Sequence, residues 1–165
     1  MLKAVEYMHG NYIVHRDIKP ENVIYSHGVV KLCDFGWATS FKEQLPSEFC
    51  GTLDYVSPEV IEKKPYDGSV DMWSIGMLTF ELLTGRVPFK DANKQTHLSN
   101  IARCDPSDIV YPAWLKPEAK DFISRLLRKN PVLRMTVKEA IQHPFITQYQ
   151  KIEYISNDIG DVVHG

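Results

Sequence analysis

His15-Arg16-Asp17-Ile18-Lys19-Pro20-Glu21-Asn22 decides the reading of this chain, together with Asp34-Phe35-Gly36, which begins twelve residues after Asn22. The first tract packs a carboxylate, an ammonium and a side-chain amide into eight residues, and the second supplies another carboxylate. Between them, Asn22-Val23-Ile24-Tyr25, a Ser26-His27-Gly28 turn and Val29-Val30-Lys31-Leu32-Cys33 have the pattern of a two-stranded hairpin. Loops braced by short strands are good sites for chemistry, because a fixed backbone presents mobile polar side chains.

Helices are expected on both sides of this segment. Leu2, Val5 and Met8 or His9 fall at helical spacing, without a capping residue ahead of them. Residues 34 to 59 show no sustained period and are punctuated by Gly36, Pro46, Gly51 and Pro58, so they read as a long irregular segment of functional type. Ser69 is placed to cap a helix from Val70 to Thr84 that is apolar nearly all round and ends at Gly85, the signature of a core helix. Pro117 suits a first helical turn, and Ala119, Phe122, Ile123, Leu126 and Leu127 form one stripe that stops before Asn130-Pro131. Thr136 and Glu139 make a capping box for a last short helix ending near His143-Pro144. The expectation is one mostly helical domain over residues 1–147, followed by a weakly patterned tail over 148–165.

Composition narrows the partners. The chain has 165 residues, 44% of them apolar and 24% charged, with 19 basic residues against 21 acidic ones. That balance argues against nucleic acid or a membrane surface as the main partner. Cys33, Cys50 and Cys104 are odd in number and form no CxxC pair, so neither a disulfide framework nor a zinc site is expected, and a reducing compartment fits. The opening MLKAVEYMHG lacks a cleavable apolar leader, and no apolar run approaches the ~18 residues of a membrane span, which makes cytoplasm or nucleus the default.

HRDIKPEN, DFG and, further on, CGTLDYVSPE (Cys50–Glu59) resemble, in order, the catalytic loop, the metal-binding motif and the end of the activation segment of eukaryotic protein kinases. The resemblance implies a mainly α, protein-kinase-like C-lobe: a helical bundle with a short β-hairpin at the catalytic and DFG loops. It also implies ATP and Mg2+ as cofactors and protein side chains as substrates. Phosphoryl transfer needs positioning and charge neutralisation more than covalent chemistry, and the residue types fit. Asp17 would align the substrate hydroxyl and take its proton late, and Lys19 would lie against the transferring phosphate. Asn22 and Asp34 would hold magnesium through hard oxygens, with Lys19, Glu21 and Ile24 completing the ATP-binding set. Lys19 in HRDxKxxN, and Thr52 as the threonine that bonds Asp17 and Lys19, indicate serine/threonine rather than tyrosine specificity. Glu21 and Glu81 match acidic positions that read an arginine upstream of the target residue, a contact that is strong when bidentate. Asp71 resembles the aspartate that holds the catalytic-loop backbone, and Glu59 is expected to pair with Arg134. His15 and Phe35 resemble members of a packed regulatory column. Ile24, Leu78 and Leu82 resemble the column beneath adenine; as apolar core positions they would be explained without any cofactor.

Trp37 directly after DFG, CGTLDY, and ISRLLRKNPVLRM followed by HPFI are together similar to the Aurora family. That likeness implies a cell-cycle role, a spindle or centrosome association and an activator protein by family analogy. Auroras carry a phosphorylated threonine two residues before the cysteine of CGTLDY, where this chain has Glu48, preceded by Ser47, with Leu45 and Pro46 in place of arginines. Arg16 normally receives that phosphate, so Glu48 is read as a permanent, partial charge in its place. No GxGxxG occurs, and no strand ahead of the catalytic loop carries an ATP-anchoring lysine. The N-lobe is therefore expected to be absent, and the isolated chain catalytically dead or nearly so, with apolar surface exposed. The alternative is a non-catalytic, kinase-derived binding or scaffold module.

Overall fold

A computed structural model describes residues 1–149; of the tail expected over 148–165, residues 150–165 lie outside them. Along the chain run α1 (Leu2–Gly10), β1 (Ile13–Val14), β2 (Val23–Ser26), β3 (Val29–Leu32), β4 (Thr39–Ser40), α2 (Pro58–Ile61), α3 (Ser69–Thr84), α4 (Lys94–Arg103), α5 (Pro117–Leu126), α6 (Val137–Gln142) and α7 (144–149). Single 3-10 turns form at Pro20–Asn22, Leu53–Tyr55, Pro106–Asp108 and Pro131–Leu133.

α3 is the axis of the molecule, as its lack of a polar face requires: Val70 to Leu78 and Phe80 are buried, and Thr79 is half-buried. The apolar stripe of α5, Ala119, Phe122, Ile123 and Leu126, packs against it. Gly76 makes this approach possible, since a Cβ there would sit 2.8 Å from a Leu127 methyl. Gly85 ends α3 in the left-handed conformation at φ 74°, and its N–H returns to the Glu81 carbonyl. Thr136 and Glu139 form the expected capping box on α6.

Three local features differ from the sequence reading. Ser69 does not cap α3. Gly68 is already helical at φ −60°, ψ −12°, so Ser69 is the first helical residue, and the Asp67 carboxylate accepts its N–H at 2.8 Å instead. The hairpin turn is two residues, His27 and Gly28, both at positive φ as a type I′ turn demands, with Ser26 paired to Val29. α4 was not foreseen; it is capped by Asn93, whose side-chain oxygen accepts from the N–H groups of Gln95 and Thr96. Its buried face is only His97 and Ile101, too thin a stripe for periodicity to flag.

The irregular segment is tied down at both ends. β4 pairs antiparallel with β1, Ile13 opposite Ser40 and Val14 opposite Thr39. At the far end Glu59 meets Arg134 in a bidentate pair at 2.6 and 3.0 Å, both residues buried. Arg134 also donates to the carbonyls of Ser69, Arg128 and Lys129 and lies over the Trp73 ring at 5.3 Å, so its guanidinium donors are occupied in a dry setting. Among the described residues no helix is long and apolar enough to cross a membrane.

Candidate active site

The site is built outward from Asp71 in the first turn of α3, fully buried where the helix dipole favours a carboxylate. Its two oxygens accept the backbone N–H groups of His15 and Arg16, each at 2.9 Å, and Oδ2 also lies 2.9 Å from His9 Nε2 of α1. These bonds hold Arg16 at φ 70°, a conformation that costs a non-glycine residue about 1–3 kcal/mol. The turn aims Arg16 and Asp17 into the same space. His15 is buried beneath, where Nδ1 accepts the Asp17 N–H and Nε2 donates to the Cys33 carbonyl, so one neutral tautomer satisfies both contacts. Its ring meets Phe35 edge-on at 5.0 Å.

The Asp17 carboxylate is saturated on purpose-built partners. Oδ1 accepts both the N–H (3.0 Å) and the hydroxyl (2.8 Å) of Thr52. Oδ2 accepts from Asn22 Nδ2 at 3.0 Å and pairs with Lys19 Nζ at 2.8 Å, and Lys19 donates in turn to the Thr52 hydroxyl. Burial works to raise the Asp17 pKa, but the hydrogen bonds from Lys19, Thr52 and Asn22 outweigh it and hold the carboxyl below its usual value. The same contact with Asp17 raises Lys19, which keeps its charge.

Asn22 and Asp34 are neighbours because of hairpin register. Val23 pairs with Leu32, and the Cys33 N–H donates to the Asn22 carbonyl at 3.0 Å, so Asp34 emerges beside Asn22. The Asn22 amide nitrogen is committed to Asp17, which leaves its side-chain oxygen as an acceptor, and among the described residues the exposed Asp34 carboxylate bonds only the nearby Gly36 N–H. Two hard oxygen donors suit a magnesium ion that draws its remaining ligands from phosphate and water. Among the described residues no group of three or more His, Cys, Asp or Glu gathers to make a self-sufficient cage.

Thr52 reaches Asp17 only because of the residue before it. Gly51 has φ 87°, and a Cβ there would lie 2.5 Å from the Arg16 carbonyl oxygen. Arg16 faces the same segment: Nε donates to the Trp37 carbonyl at 2.6 Å, and Nη1 to Glu48 at 3.3 Å and to the Tyr66 hydroxyl at 3.0 Å. The Glu48 side chain is 74% exposed, and exposed pairs of this kind contribute about 0–1 kcal/mol. Ser47 is exposed beside it.

Glu81, on the outer flank of α3, accepts a very short hydrogen bond from the Tyr55 hydroxyl, and burial followed by that carboxylate pushes the Tyr55 phenol well above its usual value. Asp54, next in chain, is paired with Lys90 and lies 3.0 Å from His97 of α4. Glu21 is exposed on the same side, close enough to Tyr55 to contribute to that shift. Tyr55 and Tyr66 were missed by sequence reasoning; the only signal was a tyrosine inside or shortly after a recognised motif. Of the column positions, Leu78 is buried as expected, but Ile24 is 50% exposed, Phe35 53% and Leu82 72%. They are not core residues: Ile24 lies on a two-stranded hairpin, Phe35 beyond it with one edge against His15, and Leu82 near the end of α3.

A carboxylate fixed by threonine, lysine and asparagine, a second carboxylate delivered by a hairpin, and a long loop folded onto the arginine that precedes the first define a class. The protein kinase domain model matches residues 1–146, and the chain belongs to that family. Within it the likeness is to Aurora kinases. The chain is 46% identical to the Aurora kinase of Dictyostelium discoideum over 147 residues, 88% of this chain and 38% of that protein. It is 41% identical to the Aurora kinase of Schizosaccharomyces pombe over 151 residues, 91% of this chain and 42% of that protein. Aurora kinase A-B of Xenopus laevis is 40% identical over 149 residues, 90% of this chain and 36% of that protein. The chain thus spans 36 to 42% of the length of these relatives.

Proposed function

We propose that this chain carries the catalytic-loop half of an Aurora-like protein kinase that transfers the γ-phosphoryl group of ATP to serine or threonine of a protein substrate. The arrangement around Asp17 carries the reading. Its carboxylate is ionised and immobilised, as alignment of a substrate hydroxyl requires, and Lys19 stands beside it as a fixed cation for the transferring group. Proton transfer to Asp17 comes late, because a carboxylate with a lowered pKa is a weak base. Asn22 and Asp34 would hold the magnesium ion through oxygen, and Mg-ATP bound there supplies the phosphoryl group and a cation that spreads its charge. Glu81, oriented by Tyr55, and Glu21 would receive an arginine two residues before the target. Glu48 supplies Arg16 with a partial, permanent charge in the activation segment. A cell-cycle role, a spindle or centrosome association and an activator protein follow from the Aurora likeness and belong to this reading.

The test is phosphotransfer by this chain, and by any longer product of its gene, to two peptides that differ only in arginine or alanine two residues before a serine. Transfer is expected from the longer product and little or none from this chain alone; it is expected to favour the arginine peptide, and Asp17→Asn to reduce it by roughly 10²-fold or more. Transfer that survives Asp17→Asn takes the catalytic role away from Asp17, and an absence of Mg-ATP binding in the longest product replaces this reading with a non-catalytic binding module.

A further inference from the structure

Tyr66 lies in the loop between α2 and α3 and is buried, yet it has no part in the chemistry described above. Its N–H donates to the Pro46 carbonyl at 3.0 Å. Its hydroxyl donates to the Glu48 carbonyl at 3.1 Å and accepts from Arg16 Nη1 at 3.0 Å, with Cys50 Sγ 3.6 Å away. One residue therefore grips the activation segment at three alternate positions, 46, 48 and 50, and grips the catalytic loop at the residue before Asp17. Burial pushes the phenol up to about 12, so it keeps the proton that the Glu48 carbonyl receives.

The contact at position 48 is to the backbone, so it does not depend on the side chain there. The Glu48 carboxylate, by contrast, is exposed and at 3.3 Å makes the longest of the Arg16 side-chain contacts. Immediately after Cys50 come Gly51, pressed against the Arg16 carbonyl, and Thr52, bonded to Asp17. We propose that Tyr66 is a positioning residue whose phenol brackets residues 46–50 against Arg16 and so sets the approach of Gly51 and Thr52 to Asp17. The bracket acts whatever charge stands at position 47 or 48. The inference rests on the reading of residues 46–52 as an activation segment for its consequence in catalysis, but its test reads geometry: selective opening in a chain without phosphotransfer leaves the bracket standing and removes only the kinase reading.

Tyr66→Phe keeps the ring and removes the hydroxyl. In the folded chain, thiol labelling of Cys50 is expected to accelerate roughly tenfold, as loss of hydrogen bonds to a charged and a backbone partner implies. Amide exchange over 47–52 rises in step, while Cys33 and Cys104 label at their wild-type rates. Glu48→Ala has a smaller effect on Cys50 than Tyr66→Phe. Arg16→Lys, which removes the guanidinium end of the bracket and leaves the packed ring in place, gives the same selective acceleration and serves if Tyr66→Phe does not fold. Equal acceleration at all three thiols would make the phenol a core side chain only. Faster Cys50 labelling without faster exchange would mean that the thiol had merely lost a neighbour. Either result, an unchanged Cys50 rate, or a larger effect from Glu48→Ala overturns the proposal.

Discussion

Asp17 is held ionised against its own burial, and the balance has a sign that can be measured. Its folded pKa lies below the usual 3.8, so the stability it contributes is complete above that value and is lost as pH falls through the lower, folded value. The urea midpoint of the chain is expected to fall with a distinct acid component below pH 3.8, and Asp17→Asn to flatten that component. An identical acid limb in both proteins would show that Lys19, Thr52 and Asn22 do not stabilise the charge. The identities of Asp17, Lys19, Asn22, Asp34 and Thr52 were legible in the sequence because each is the residue type its place in a recognised motif demands. The contact of Thr52 with Asp17 and Lys19 was readable only through the family resemblance, since Thr52 is 35 residues from Asp17 and reaches it through the left-handed backbone of Gly51, which no local period encodes.

Between elements, the Glu59–Arg134 pair clamps the end of the activation segment to the loop before α6. Both groups are desolvated, so removing one leaves the other charged and buried. Glu59→Ala is expected to cost about 3–5 kcal/mol by urea unfolding, whereas Lys3→Ala, which breaks the exposed Lys3–Glu6 pair of α1, costs within about 0.5 kcal/mol. Equal losses would contradict the role given to burial. α3, α5 and the α6 capping box were readable from periodicity and end signals, because each buries a broad stripe or carries a local cap. α4 and the β1–β4 pair were not, because α4 buries only two residues and each of those strands is two residues long. Ser69 misled because a good capping residue stands one position inside the helix, where Asp67 had already taken the N–H.

For the molecule as a whole, the hairpin and its surroundings leave a run of large apolar side chains open. Ile24, Tyr25, Val29, Phe35 and Trp37 are each at least half exposed, on and just after a two-stranded hairpin that is marginal as an isolated unit. Concentration-dependent sedimentation is expected to show self-association, which Tyr25→Thr with Val29→Thr reduces while leaving the unfolding midpoint nearly unchanged; undiminished association would place the sticky surface elsewhere. The amino-acid sequence by itself determined the family, the order of its motifs and the helices that bury a continuous stripe, because those signals are written in residue type and local spacing. Only the tertiary structure decided how Thr52, Lys19 and Asn22 share the two Asp17 oxygens, which face of the hairpin and of α3 lies open, and that Tyr66 joins the activation segment to Arg16. The physical reason is separation along the chain: contacts 30 to 75 residues apart depend on backbone turns at Arg16, Asp34 and Gly51 and on the packing of α3, none of which is encoded in a local period.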